Sequence, residues 1–198
     1  TSYDGIEYGT SQSDSLTMSN SLPVLSSVTL SPDPATEGDT LTCTPNGTTD
    51  ADGTTGFTYD YEWFVNGKPL IVTSSTLNDA YFSKSDIVAC DVIPNDGLND
   101  GAAVTSNTVT IANSLPSITS VTISPNLAYA GDTLTCSYIG FYDADADVDQ
   151  STYEWAVNGV IAGSSSTLYG AFLGSDTVSC TVTPFDGTDE GSPASYEI

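Results

Sequence analysis

Apolar and polar positions alternate in short stretches along this chain. Val28 and Leu30, Leu41 and Cys43, then Tyr59, Tyr61, Trp63 and Val65, and later Val88, Cys90 and Val92 each stand two apart. A period of two sends successive side chains to opposite faces of a strand, so each set predicts one buried face. Breakers separate the sets. Ser31-Pro32-Asp33-Pro34 ends the first strand because proline has no N–H to give a ladder. Residues 46–56 are a polar, glycine-containing loop, and Asn66-Gly67 directly after Val65 signals a two-residue hairpin turn. The pattern predicts strands near 24–30, 39–44, 58–65, 68–72, 75–77, 86–93 and 104–112. That is about seven strands in roughly 90 residues, with no helical period longer than a turn.

The whole pattern then recurs. Asn20-Ser21-Leu22-Pro23 and Gly38-Asp39-Thr40-Leu41-Thr42-Cys43 return as Asn113-Ser114-Leu115-Pro116 and Gly131-Asp132-Thr133-Leu134-Thr135-Cys136, 93 positions on (116 − 23 and 136 − 43). Trp63 returns as Trp155, 92 positions on, again ahead of an Asn-Gly pair, Asn158-Gly159. A period near 92 predicts two domains, residues 22–114 and 115–198.

Residues 1–21 match the end of a repeat. Thr1-Ser2-Tyr3-Asp4-Gly5 with Gly9 parallels Thr183-Pro184-Phe185-Asp186-Gly187 with Gly191, and Leu16-Thr17-Met18-Ser19-Asn20 parallels Val109 to Asn113. Leu16 to Asn20 is therefore predicted as a strand equivalent to the last strand of a preceding repeat. A lone strand is unstable in water, so it belongs to a domain upstream or completes a sheet in a neighbouring molecule. The last strand of the second repeat is short, seven steps from Gly191 to Ile198 against ten from Gly101 to Ile111. Complementary defects of this kind suit strand donation between copies of the chain, head to tail.

The order Cys43, Trp63, Cys90, repeated as Cys136, Trp155, Cys180, resembles the immunoglobulin-like sandwich, and the tandem arrangement is similar to the immunoglobulin-like and PKD-like repeats of prokaryotic secreted or cell-surface proteins. The resemblance implies an all-β chain of two tandem immunoglobulin-like β-sandwiches with one disulfide per domain, Cys43–Cys90 and Cys136–Cys180. Four cysteines alone permit three pairings; each repeat brings its own pair. Loops of 47 and 44 residues (90 − 43 and 180 − 136) would contribute roughly 3–5 kcal/mol each through chain entropy. The resemblance also implies a spacer, filament or stalk without catalysis.

Charge narrows the partners. Twenty-six acidic residues face two lysines, Lys68 and Lys84, with no arginine or histidine, for a formal charge of −24. Such a surface repels phosphate backbones and anionic lipid, which excludes nucleic acid and makes cations the natural partners. An apolar share of 38% with 11 Tyr, 6 Phe and 2 Trp is too high for an acidic disordered chain. No apolar run approaches the roughly 20 residues that cross a bilayer, so no membrane insertion is expected in this segment. Two cysteines per small domain point to an oxidising compartment, extracellular or at the cell surface. Catalysis would fall to carboxylate pairs such as Asp60 and Glu62, but Glu62 and its counterpart Glu154 lie on regular strands beside the tryptophans and should face solvent, so no enzyme is expected. Both lysines lack counterparts in the second repeat, which speaks against an internal Lys–Asn isopeptide bond.

The remaining chemistry is in the loops. Asp50-Ala51-Asp52-Gly53 is matched by Asp143-Ala144-Asp145-Ala146-Asp147, with Asp149 beyond. Alternate aspartates offer hard oxygens to a common point, as Ca²⁺ with its six to eight ligands requires, although the EF-hand's glutamate at position twelve is absent. In an immunoglobulin-like sandwich this loop and the one joining the last two strands, holding Asp96 and Asp100 or Asp186 and Asp189, share the end nearest the preceding domain. Two acidic loops there repel unless a cation intervenes. The expectation is junctional Ca²⁺ held by Asp50, Asp52 and Asp96, and by Asp143, Asp145, Asp147 and Asp186; the alternative is solvated turns whose aspartates bond their own backbone. Asn46-Gly47-Thr48 fits an N-glycosylation acceptor. Together these features predict a structural subunit or segment of an extracellular filament or surface stalk. The alternative is an adhesin or carbohydrate-binding module using exposed aromatics such as Tyr81, Phe82, Tyr138, Phe141 and Tyr142.

Overall fold

The alternating segments form strands close to where they are predicted, in a computed structural model that describes residues 5–6 and 13–198. In the first repeat β1 (Ser27–Ser31), β3 (Leu41–Asn46) and β6 (Thr76–Leu77) make one sheet, in the order β1-β3-β6. The facing sheet contains β2 (Ala35–Thr36), β4 (Thr58–Val65), β5 (Lys68–Pro69), β7 (Ile87–Asn95), β8 (Val104–Thr105) and β9 (Val109–Ala112), in the order β2-β9-β7-β4-β5 with β8 also on β7. The second repeat has β10 (Ser120–Ser124), β11 (Thr133–Ile139) and β14 (Thr167–Tyr169) opposite β12 (Thr152–Val157), β13 (Val160–Gly163), β15 (Val178–Thr183) and β16 (Ala194–Glu197). The chain is all-β, two tandem immunoglobulin-like sandwiches, with a single 3₁₀ turn at Asp79–Tyr81 among the described residues.

Alternation decides what lies between the sheets. Val28, Leu30, Leu41, Val88 and Val92 point inward from both sides onto Trp63, which is fully buried, as is Trp155 in the second core. Each indole N–H finds a backbone acceptor, Ser74 O and Ser165 O, both at 2.8 Å, so burial leaves no polar atom unpaired there. Cys43 of β3 bonds Cys90 of β7, and Cys136 of β11 bonds Cys180 of β15, so each disulfide ties one sheet to the other. Asn66-Gly67 and Asn158-Gly159 have positive φ at both residues (51° and 73°, 48° and 76°), the requirement of the hairpin turn that twists with its strands.

Three features depart from the pattern. The proline break after Ser31 does more than end a strand: the chain crosses to the other sheet, where Ala35 and Thr36 pair in parallel with Ile111 and Ala112. The arm predicted over 68–72 keeps two paired residues in β5. The strand predicted over 104–112 splits into β8 and β9, and in the gap the Asn107 side chain exchanges hydrogen bonds with Leu30 N (2.8 Å) and Leu30 O (3.2 Å), joining the two sheets at their edges. The predicted strand Leu16–Asn20 pairs with neither sheet of this chain, and Leu16 and Met18 are exposed. Of the loop matched to it, residues 1–4 and Gly9 lie outside the described residues.

The two repeats differ at their last strand. In the first, Ile111 is buried, takes Asp86 O at 2.9 Å and accepts Ser85 N at 2.8 Å. In the second, Ile198 exchanges both backbone bonds with Val178 (3.0 and 2.9 Å), the place Val109 holds opposite Val88. Beyond it lies a pocket of about 170 Å³ whose lining includes Ala128, Phe172, Ser175, Asp176 and Val178. These are the counterparts of Ala35, Phe82, Ser85, Asp86 and Val88, so the pocket corresponds to the space that Ile111 fills in the first repeat.

Candidate functional site at the joint between the repeats

The linker Asn113-Ser114-Leu115-Pro116 carries β9 into the second sandwich, and three contacts hold it there. Asn113 Nδ2 donates to Asp186 Oδ2 (2.8 Å) and Asp189 Oδ2 (3.0 Å), both in the loop between β15 and β16. Ser114 N donates to Asp145 Oδ2 (2.7 Å), and its hydroxyl to Asp145 Oδ1 (3.2 Å). Pro116 is buried, and its carbonyl lies so close to Gly191 that a Cβ there would be 1.8 Å from the oxygen. The first sandwich holds its own leading segment in the same way. Asn20 Nδ2 donates to Asp96 Oδ2 (2.8 Å), Ser21 N donates to Asp52 Oδ2 (2.6 Å), and a Cβ on Gly101 would be 2.1 Å from Pro23 O. The acidic loops therefore meet amide donors of the linker, which relieves the repulsion expected between them.

Local turns aim these carboxylates. One oxygen of Asp186, of Asp96 and of Asp143 folds back onto its own loop. Asp186 Oδ1 accepts from Thr188 N and Asp189 N (2.6 and 2.7 Å), Asp96 Oδ1 from Leu98 N and Asn99 N (2.7 and 2.8 Å), and Asp143 Oδ1 from Asp145 N and Asp147 N (2.9 and 3.2 Å). Burial opposes ionisation of Asp186, but the Asn113 amide and the two loop N–H groups outweigh it and hold the carboxyl below its ordinary range. The Asn20 amide, followed by the Asn99 and Leu98 N–H groups, does the same for Asp96.

The joint between the two domains has an addition. Lys84 follows the 3₁₀ turn of the first domain; its backbone N–H donates to Glu37 Oε1 (2.6 Å). Its ammonium donates to Asn113 Oδ1 (2.9 Å), contacts the Asp147 carboxylate, and lies 3.9 Å from Asp145 Oδ2. The Asp147 hydrogen bond is the main reason its pKa is raised, so at neutral pH Lys84 is a cation. A protonated amine is no nucleophile, and Lys84 with Asn113 is accordingly an ion–dipole contact between the first domain and its own linker. Beside it, oxygens of Asp143, Asp145 and Asp147 lie within 4.8 Å of one another. Asp143 is buried and its Oδ2 has no hydrogen-bond partner, a condition that costs about 1–3 kcal/mol for a buried acceptor. Asp50 Oδ2, its counterpart 93 residues earlier, has none either.

Of the seven aspartates predicted as ligands, the fold gathers Asp143, Asp145 and Asp147, the only such group among the described residues. Asp186 is engaged by Asn113. Asp96 and Asp52 engage Asn20 and Ser21, Asp50 Oδ1 accepts from Asp52 N (2.6 Å), and the position of Asp147 is taken by Thr54. Asn46 is exposed at the end of β3 and its amide nitrogen donates to Thr29 Oγ1 and Thr44 O (both 3.1 Å). Glu62 and Glu154 face solvent, as their strands require. The expectation of Phe82 as an exposed aromatic is corrected: it is buried in the first core, as Phe172 is in the second. Tyr138 is half-buried against Tyr153 (ring centroids 5.9 Å apart) and donates to Asp149 Oδ2, Phe141 is half-buried, and Tyr81 and Tyr142 are exposed. Residue-type reasoning gave Asn20 to a donated strand and not to a clamp, and missed Ser21, Asn113, Ser114, Lys84 and Glu37 as site residues. The signal that could have found Asn20, Ser21, Asn113 and Ser114 is the repeated Asn-Ser-Leu-Pro itself.

No family model matches the chain, and no curated protein does. Among solved structures it is similar to the three N-terminal domains of the bacteriophage RB49 highly immunogenic outer capsid protein (Hoc), at 18% identity over 86% of this chain and 57% of that one, with a TM-score of 0.37. It is also similar to a two-domain fibronectin type III segment of chicken tenascin, at 12% identity over 91% and 99% with a TM-score of 0.42. A third likeness is the N-terminal four immunoglobulin domains of Dscam1, at 14% identity over 91% and 47% with a TM-score of 0.34.

Proposed function

We propose that this chain is a structural, non-catalytic segment of an extracellular filament or surface stalk made of head-to-tail immunoglobulin-like domains. The observation that carries this reading is the repeated clamp. Each sandwich grips the four residues in front of it through an Asn–Asp bond, a Ser N–Asp bond and a Gly–Pro contact, which fixes how a preceding domain is presented. The disulfides favour an oxidising, extracellular setting. Strand donation is motivated by the match of Leu16–Asn20 to the last strand of the first repeat, Val109 to Asn113. Met18 occupies the sequence position of Ile111 and is exposed. The sheet of a second copy, or a domain upstream in one longer chain, would each cover such a residue.

Electron microscopy of native material, with intact mass of the dissociated chain, tests the proposal. Long fibres with a subunit near 20.5 kDa, lost in Met18→Asp, are expected for strand donation. Fibres of much larger covalent mass mean a tandem array, and dispersed beads with no fixed spacing sink both.

A further inference from the structure

Asp143, Asp145 and Asp147 form a group with an unmet need. Asp143 is more than nine-tenths buried, one of its oxygens is consumed by the turn, and the other, Oδ2, is buried without a donor. The Asp145 side chain is almost wholly buried as well. Two oxygens bound to one Ca²⁺ at about 2.3–2.6 Å can be at most about 5 Å apart, and these three carboxylates satisfy that limit at 4.8 Å. Three carboxylates held this close repel one another unless a cation lies among them.

We propose that Asp143, Asp145 and Asp147 bind one Ca²⁺ at the joint, and that Lys84 of the preceding domain is a tethered cation competing for the same carboxylates. The ion completes Asp143 Oδ2, and Ser114 N on Asp145 couples it to the linker. Lys84 contacts Asp147, so its ammonium and the ion compete for that carboxylate. The first sandwich offers no equal site, since Thr54 replaces the third aspartate. The site goes beyond the array reading and does not depend on it.

Calorimetric titration of the intact chain with Ca²⁺ at pH 7 and low ionic strength, after chelator treatment, is the test. One ion per chain is expected. Asp147→Asn and Asp143→Asn should each weaken binding at least tenfold, Lys84→Gln should tighten it severalfold, and Asp52→Asn should leave it unchanged. Asp147 is only half-buried, so its variant keeps the test open if Asp143→Asn fails to fold. No saturable binding, two equal sites, binding that survives Asp147→Asn, or binding not tightened by Lys84→Gln overturns the site. A rigid joint without calcium binding would remove the site and leave the array standing; a flexible joint that still binds one ion would do the reverse.

Discussion

The segment before the first sandwich and the linker between the two are held by the same three contacts, yet they differ in what stands on the far side. In front of the first sandwich, Asn20, Ser21 and Pro23 meet Asp96, Asp52 and Gly101. Between the sandwiches, Asn113, Ser114 and Pro116 meet Asp186, Asp145 and Gly191, and the preceding domain adds Lys84 against Asp147 and Glu37 against the Lys84 backbone. The clamp is thus a property of each sandwich toward its own leader, whereas the ionic contact belongs to a pair of domains. In the second sandwich the position of Lys84 is Gly174, so a domain following it would meet no such cation from that turn.

Glycine-to-alanine changes separate those two layers with the largest expected effect. A Cβ at residue 191 or 101 would overlap a proline carbonyl oxygen, which is backbone and cannot rotate away. Overpacking of this kind costs about 1–3 kcal/mol, and each kcal/mol lowers the melting temperature of a domain this size by roughly 4–8 °C. Calorimetry should show Gly101→Ala lowering the first domain's transition and Gly191→Ala the second's, by similar amounts. A silent Gly101→Ala would mean that the Gly–Pro approach carries weight only at the linker between the two repeats.

Asparagine comes next, and here the two joints should diverge. Asn113→Ala leaves the buried Asp186 Oδ2 without its donor, a loss of about 1–3 kcal/mol, and removes the acceptor of the Lys84 ammonium. Asn20→Ala should do less, because Asp96 is half-buried and solvent can replace the amide. Acid probes the same contacts. Asp186 and Asp96 are held below their ordinary pKa in the folded chain, so their contribution is complete above about pH 4, the unfolded value, and is lost as pH falls through the lower folded values. Melting followed from pH 5 to pH 2 should show both transitions falling, with the second less sensitive in Asn113→Ala. Equal pH profiles for that variant and the native chain would detach Asp186 from the linker.

How much of this was legible follows from which contacts are local. Period-two alternation places Tyr59 to Val65 and Val88 to Val92 correctly, because a strand's burial is written in consecutive residues. Ala35-Thr36 is too short to have a period, and Phe82 sits where no strand says which side faces in. The acidic loops were visible as composition and their shared end followed from the fold. Their partners were not: Ser114 lies 31 residues from Asp145 and Asn113 lies 73 from Asp186, with nothing between to mark the pairs. Lys84 read as a stray charge, since only the tandem packing brings it to Asp147.

Lys84 gives the smallest effect on stability and the sharpest on geometry. Exposed ion pairs add little to folding, and neither end of this one is fully withdrawn from water, so Lys84→Gln should leave both melting transitions nearly where they are. The pair spans the two domains, however, and with chelator present it should narrow the range of angles that the clamp allows. X-ray scattering of Lys84→Gln in chelator should show a broader range of interdomain angles than the native chain. Native protein in about 1 M salt, where charges are screened beyond roughly 3 Å, should approach the same curve. Added Ca²⁺ should narrow the distribution again in Lys84→Gln, because the three carboxylates remain. Scattering unchanged by the substitution would mean that the Asn113–Asp186 clamp alone fixes the angle, and would reduce the lysine to a solvated surface charge.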